Sequence, residues 1–417
     1  MRKESDDKQL SLMSKEEREE AKEIISDIKV NSEFSKGKVN LNLMIHSLKK
    51  FNNKKNEFIN SYPLMAYSVK RILYAFLTLY FAIAVVYILL NIVTNDAMYI
   101  QDIDLNKWKI RFGSEEYFNL INNRKRLLGV DGSVLKQILI YWRNVTPFIP
   151  KKIILDPFYQ ADGTITGTTV TKYFYLGVIF NSSSGYATGT LVEKVMSLSM
   201  PVSFKLGAIS TAIAFLIGVP IGIYAALNKE NAKDNSITGF CLLMFALPAL
   251  VIVRLFYQFV IYYLGAGSLW AGSTLYTQMF PVILLILLTV PGIIFQTRRY
   301  IIIEMNADYT KFALSKGMTN RYVFFIHIFR VAGIAIIRSI PAALIANLFG
   351  SSLLVEQSWN VLGMANITIS AISSNDIFLI LGIVFISASV SLFLSLISDL
   401  LITILDPRVK LIEKKGS

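Results

Sequence analysis

A dense run of functional side chains lies between residues 304 and 330: Glu304, Asp308, Tyr309, Lys311, Ala313, Lys316, Gly317, Arg321, His327 and Arg330. Acids, bases and an imidazole are all present. No nucleophile, however, stands with a base and an oxyanion-stabilising group at workable spacing, so the sequence offers no candidate catalytic residue. What the spacing does offer is shape. Tyr309, Phe312 and Ala313 fall at i, i+3 and i+4 of a short helix, and Gly317 supplies the permissive backbone at which that helix ends before a second short helix begins. Such a unit docks rather than makes bonds, as a rigid knob of apolar and basic side chains that fits a groove on a partner protein. The alternative is a basic amphipathic loop lying on a membrane surface.

Other chemistry-bearing residues are scattered. Gly267 to Thr274 has the outer glycines of a phosphate-binding loop but no lysine before Ser273, so any ATP hydrolysis belongs to a different chain. His46 and His327 have no companions at metal-ligand spacing, and no metal site is expected. The single cysteine, Cys241, excludes an intrachain disulfide. Asn144, Asn181 and Asn366 match glycosylation acceptors at a rate chance explains. Arg254 and Glu356 are charges within or at the edge of apolar runs. An arginine facing lipid would cost about 2.5–3.5 kcal/mol, so Arg254 faces either a wet translocation pathway or a protein interface. Glu356 is either a pathway residue or a hydrated cap.

The elements that must carry these residues follow from composition. Of 417 residues, 53% are hydrophobic and only 17% charged, and the mean hydropathy is +0.50. A globular core could not bury that much apolar side chain, which excludes a soluble enzyme and points to a multi-span membrane protein. Six stretches are long enough to cross a bilayer: Ile72–Val93, Leu206–Asn228, Asn235 to about Leu264, Phe280–Thr297, Ile334–Val355 and Ile377–Leu405. About seventy residues precede the first, so it reads as an anchor rather than a signal peptide.

The net charge is +13, and its placement gives orientation. Lys229 and Lys233 fall in one short loop, and Arg298, Arg299, Lys311, Lys316, Arg321 and Arg330 in another, whereas 265–279 and 357–375 hold no lysine or arginine. Basic short loops stay on the cytoplasmic side, which puts both termini inside and turns the charge excess into a topology signal rather than a nucleic-acid face.

The expected organisation is therefore a cytoplasmic polar extension (1–60), a first transmembrane helix (70–94), a folded extracytoplasmic insertion (95–200), and a five-helix core (201–405). The core contains the cytoplasmic loop 298–330 and is followed by a cytoplasmic tail (406–417). In the extension, Ser14 and Glu17 form a capping-box pattern ahead of Ala21, Ile24, Ile25 and Ile28. In the insertion, alternation over Thr169–Phe180 suggests strands, and Gly132, Pro147, Pro150, Pro157, Gly163 and Gly167 punctuate turns.

The loop from Glu304 to Arg330 resembles the coupling loop of binding-protein-dependent ABC importer permeases, in the form used by the oligopeptide/dipeptide branch. The matching positions are Asp308, Tyr309, Ala313, Lys316, Gly317, His327 and Arg330, with departures at Lys311 and Phe312, where the general motif has Glu and Ala. The resemblance extends through Tyr67–Leu73, Leu128–Gln137 with Tyr141 and Trp142, Pro201, Gly218-Val-Pro220-Ile-Gly222 and Pro248. It continues with Leu354-Val-Glu356-Gln-Ser-Trp359, Leu362-Gly363, Ser398-Asp399 and Asp406-Pro407-Arg408. The long amino-terminal tail and an insertion near Asn144–Tyr175 depart from the branch.

The resemblance implies an all-α integral membrane fold of six transmembrane helices with a folded extracytoplasmic insertion, in a bacterial cell membrane. It implies a permease subunit working by alternating access, without a cofactor of its own, ATP and Mg being held by partner ATPase subunits. The implied partners are a second homologous permease, two ATPase subunits, an extracytoplasmic substrate-binding protein and membrane lipid, with no nucleic acid. The implied cargo is an oligopeptide, with nickel or another small solute as the alternative in the same branch. An ion-coupled secondary transporter would show paired intramembrane carboxylates and repeats, and neither stands out.

Overall fold

The computed structural model describes residues 63–101, 103–159, 165–181 and 185–405. The polar extension with Ser14 and Glu17, the tail 406–417 with Asp406-Pro407-Arg408, and the side chain of Tyr67 lie outside the described residues. Lys70–Lys410 form one compact unit; Met1–Val69 with Leu411–Ser417 fall in another, where the only described residues are 63–69.

Helix α1 (Pro63–Val93) leads into a single 3-10 turn (Asp96–Ile100), then α2 (Glu115–Leu128), α3 (Val134–Val145) and a hairpin of β1 (Lys151–Tyr159) and β2 (Ile165–Lys172). The core follows as α4 (Val192–Leu227), α5 (Ala232–Ala246), α6 (Ala249–Leu264), α7 (Leu275–Met305), α8 (Asp308–Ser315), α9 (Asn320–Ser358), α10 (Met364–Ser374) and α11 (Ile377–Leu405). Among the described residues, five helices are long and apolar enough to cross a membrane, or six if the bent pair α5–α6 makes one crossing.

That pair differs from the straight third span expected from sequence. The helices meet at 99° because Leu247 is extended (φ −81°, ψ 131°) ahead of Pro248, whose ring disfavours helical backbone in the residue before it. The fifth span is longer than expected and begins within the loop. Thr319 caps α9 by accepting from the Tyr322 N–H, and helix continues to Ser358 through two π-helical segments, Phe324–Phe329 and Asn347–Ser351. The side chain of Asn347, at the second bulge, ties it to two neighbouring helices, donating to Thr211 of α4 (2.8 Å) and accepting from Thr289 of α7 (2.9 Å).

Helices α4 and α7 cross closely. A Cβ at Gly218 would press on Ile293, and one at Gly222 on Thr297 and the Ile294 carbonyl, so these small residues set the approach of the two backbones.

The described residues of 94–191 form a module that packs on α1 and α11. Ser114 and Ser133 cap α2 and α3, and Gly129 (φ +72°) ends α2. Leu128, Ile138, Tyr141, Leu176 and Phe180 join Leu79, Ile83 and Tyr87 of α1, and Phe378 and Leu381 of α11, in one apolar core. Two details differ from the sequence expectation. The strand ends at Lys172, and the β-pairing described beyond it in 173–180 is an isolated bridge from Val178 to Leu191. Helix α4 also begins at Val192, so the module closes before residue 200.

Candidate functional site

The candidate site is the knob formed by α8, the turn after it and the first turns of α9. It sits on the ends of α4 and α7. Ala313, Val323, Phe324 and Ile328 are buried against Ala226 of α4 and Ile301 of α7, which fastens the knob to the long helices. The turn from α7 into α8 is closed by Thr310, whose hydroxyl donates to the Glu304 carbonyl at 2.8 Å, and by Tyr309, whose hydroxyl donates to the Glu304 carboxylate.

One expectation is corrected here. Tyr309, Phe312 and Ala313 do not make a single docking ridge, because i+3 falls about 60° short of a full turn and i+4 about 40° past it, which puts Phe312 and Ala313 on opposite sides of Tyr309 with the core under Ala313. Ala313 turns inward, whereas Phe312 is 60% exposed and Tyr309 half-exposed. The outward apolar set is Tyr309, Phe312, Leu314, Met318, Tyr322, Phe325 and Ile326.

Cations ring that set. Lys316 holds its ammonium 4.4 Å from the Phe312 ring centroid, and Lys311 lies 3.6 Å from Asp308 in a solvent-exposed pair. His327 is half-buried with its ring against Tyr322, and Arg330 is exposed. Gly317 has φ +81° with nothing within 4 Å of where a Cβ would stand. Its necessity is therefore backbone conformation, not space.

A neighbouring clamp was not foreseen. Arg298 of α7 makes two 2.6 Å bonds to the buried carboxylate of Asp234 in α5, and Asp234 also accepts from the Glu230 N–H at 3.0 Å. The pair ties the α4–α5 turn to the helix that carries the knob. A bidentate guanidinium–carboxylate pair of this kind fixes orientation as well as distance. The sequence signal was two acids, Glu230 and Asp234, beside two lysines in the short turn between apolar runs.

The two scattered charges are not brought together. Arg254 is exposed on α6, and no ion pair joins it to Glu356 among the described residues. Glu356 is 0% exposed, which overturns the hydrated-cap reading. Its carboxylate accepts from the Ser203 hydroxyl (2.6 Å) and the Ala365 N–H (3.0 Å), while Ser203 accepts from the Met364 N–H (2.8 Å). A second buried carboxylate, Asp376, had not been singled out. It accepts from the N–H groups of Phe180 (3.0 Å), Asn181 (3.2 Å) and Leu379 (3.1 Å), so it both caps α11 and holds the end of the module. Burial raises its pKa to about 6 despite these donors.

Comparison with known proteins places this arrangement. Residues 218–411 match the model of the binding-protein-dependent transport system inner membrane component family, a segment that holds α7, the knob, α9 and Glu356 but not its partner Ser203. That match covers just under half of the chain. The chain is also similar to named proteins. The oligopeptide transport system permease protein AmiC of Streptococcus pneumoniae is 34% identical over 52% of this chain and 44% of its own length. The oligopeptide transport system permease protein OppB of Salmonella typhimurium is 26% identical over 63% of this chain and 87% of its own. The chain thus spans less than half the length of the AmiC relative. The branch named by the motif resemblance is the branch these relatives carry. An overlay on a crystal structure of an amino acid ABC transporter covers 52% of this chain and 95% of that one, at 16% identity and a TM-score of 0.38, too loose to carry an argument.

Proposed function

We propose that this chain is the transmembrane permease subunit of an ATP-driven importer of oligopeptides, working by alternating access. The observation that carries the reading is the knob: an exposed apolar and basic surface, anchored through Ala313 and Phe324 to the ends of α4, α7 and α9. A push on such a knob reaches three long helices at once. On this reading it seats in a groove of a cytosolic ATPase subunit, whose closure around ATP moves the helices and switches a substrate cavity between the two membrane faces.

The basic residues at this end support its cytosolic placement. The module 94–191 then lies on the opposite face, where it helps to seat a substrate-binding protein. A second, homologous permease completes the pathway and offers a partner surface for Arg254 on α6. ATP and Mg belong to the ATPase subunits, and this chain does no bond chemistry.

The test is reconstitution in vesicles with two ATPase subunits, a second permease and the binding protein, followed by accumulation of a labelled oligopeptide. Accumulation that requires ATP and the binding protein is the expected result. Accumulation driven by an ion gradient without ATP overturns the proposal.

A further inference from the structure

Helices α1 and α11 give a depth scale. At one end Arg71 of α1 pairs with Asp399 of α11 at 2.8 Å, and the Ser398 hydroxyl donates to the Arg338 carbonyl at 3.0 Å, which brings α9 to the same level. Both α1 and α11 are long and apolar enough to cross a membrane. A hydrocarbon core of about 30 Å takes about 20 residues of helix. Counted from the Arg71–Asp399 pair, its far boundary falls near Asn91 on α1 and near Leu379 on α11. The two counts meet at one level, because the Phe378 ring lies 6.1 Å from that of Phe180, and Phe180 lies 5.4 Å from Tyr99 in the turn after α1.

Helix α3 crosses that boundary. Near its start, Gln137 accepts from Asn91 at 3.2 Å and from the Tyr87 hydroxyl at 3.1 Å. Near its end, the Trp142 indole donates to the Tyr80 carbonyl at 3.1 Å, and Thr146 shares a 2.6 Å hydrogen bond with the Tyr80 hydroxyl. Tyr80 lies 11 positions deeper than Asn91, about 16 Å along the helix. The α3 axis therefore runs down beside α1 into the half of the bilayer far from Arg71. The returning strand of chain fixes the same depth independently. Phe174 meets Phe385 at 5.6 Å, and Phe385 is 6 positions deeper than Leu379, about 9 Å. Helix α2 stays beyond the boundary, tied by Lys125 to Asp96 in the turn after α1 at 2.8 Å.

Backbone at such a depth must find its partners inside the protein. The end of α3 does so. The Thr146 N–H donates to the Trp142 carbonyl and the Tyr175 N–H to the Asn144 carbonyl, both at 3.1 Å. The Lys151 ammonium, on a residue only 3% exposed, donates to the carbonyls of Thr146 and Tyr173. The turn 147–150 has proline at each end, and neither carries an N–H to satisfy. What this limb shows outward is apolar: Leu135 and Leu139, one turn apart on α3, are exposed, and Phe148 beyond them is 83% exposed. Leu89 and Phe81 of α1 are exposed at the same depths.

Further round α3 the surface changes character. Arg143 there joins Arg124 and Arg126 of α2 and Lys151 and Lys152 of β1 in lining a cavity of about 640 Å³, with no carboxylate among its described lining residues. Arg143 and Lys152 are exposed. Cations at this depth are costly against lipid and are found where they reach a water-filled recess, which the cavity supplies.

We infer that α3 and the turn after it lie inside the bilayer, with Leu135, Leu139 and Phe148 against acyl chains and the cation-lined cavity as a wet recess behind them. The partner of this face is lipid, and the module is a wedge driven down beside α1. The inference rests on α1 and α11 crossing the membrane and is independent of the importer reading.

The experiment uses the full chain with Cys241→Ala, reconstituted in vesicles of phosphatidylglycerol and phosphatidylcholine and spin-labelled at one new cysteine at a time. Leu139→Cys tests the apolar face and Lys152→Cys the recess; Phe81→Cys on α1 and Phe118→Cys on α2 are the references. Oxygen concentrates in hydrocarbon and a polar nickel chelate in water, so the oxygen-to-nickel collision ratio at Leu139→Cys should match that at Phe81→Cys and exceed that at Phe118→Cys about tenfold. Lys152→Cys should resemble Phe118→Cys. A ratio at Leu139→Cys as low as that at Phe118→Cys overturns the inference and leaves the apolar face outside the bilayer, as a seat for a protein partner. A ratio at Lys152→Cys as high as that at Phe81→Cys also overturns it, since no wet recess then exists. A low ratio at Phe81→Cys itself overturns the depth scale.

Discussion

The two ends of the helical core are built on opposite terms. At one end, Glu356 and Asp376 are fully buried, and each carboxylate oxygen has a donor from within the chain. A Cβ at Gly363 there would run into the Glu356 carboxylate and the Ser203 hydroxyl. At the other end, Phe312, Tyr322 and Phe325 face outward, and the turn glycine, Gly317, stands in open space. The first end is complete within the chain and pays for error in stability. The second is unfinished, and errors there should appear in what the chain does with a partner. This difference makes the two ends separable by mutation.

The largest effect is expected at Gly363. Gly363→Val drives a branched side chain into a buried, hydrogen-bonded carboxylate, combining overpacking with loss of compensation for a charge. The folded chain should lose about 3 kcal/mol or more, seen as a lowered unfolding temperature and a loss of monodisperse material in detergent. A variant as stable as the original would show that the clasp is not closed as described.

Next comes Asp376→Asn. An amide cannot accept from both the 180–181 pair and the Leu379 N–H, so at least one buried donor is orphaned at a cost of about 2 kcal/mol. Hydrogen exchange at residues 174–181 should rise while exchange in α7 does not. Uniform protection would contradict the view that Asp376 holds the module end.

A smaller effect should follow pH. The Asp376 pKa is about 6 in the folded chain against 3.8 for an unperturbed carboxyl. Between those values the folded state binds the additional proton. This contribution is therefore present at low pH and lost as pH rises through about 6, by roughly 1 kcal/mol between pH 5.5 and 7.5. Melting curves of the original chain and Asp376→Asn should differ in slope with that sign. A slope of opposite sign would mean that the donors outweigh burial.

At the knob, Lys311→Ala should be the mildest change. The Lys311–Asp308 pair is 3.6 Å apart in solvent, where such pairs contribute little. Stability and transport should both remain near the original, and a severe transport defect would give Lys311 a direct partner contact.

The contrast also explains what could be read before any coordinates. The knob was legible because its signals are local: aromatic residues at helical spacing, a glycine at the turn and dense charge within 27 residues, 304 to 330. What sequence missed was which side of α8 faces inward, since that depends on Ala226 and Ile301 far along the chain. The clasp end was barely legible because its partners are distant, with Ser203 and Glu356 separated by 153 positions and Phe180 and Asp376 by 196. Hydropathy marked Glu356 only as a charge at a span edge, and burial made it structural. Pro248 was visible as a residue, yet its 99° consequence was hidden inside a continuous apolar run. The cationic cavity draws on α2, α3 and β1, and no single window of sequence shows five cations converging.

The central claim, that the knob transmits motion from an ATPase to the helices, is tested most directly by Gly317→Val in the reconstituted system. A Cβ there has no heavy atom of the described residues within 4 Å, so the main cost is the strain of a side chain at φ +81°, about 1 kcal/mol. ATP hydrolysis and oligopeptide uptake should be measured together in vesicles, alongside the melting temperature of the variant. The account predicts a nearly unchanged fold, persisting hydrolysis, and uptake per ATP reduced at least tenfold. Coupled uptake at the original ratio would contradict it.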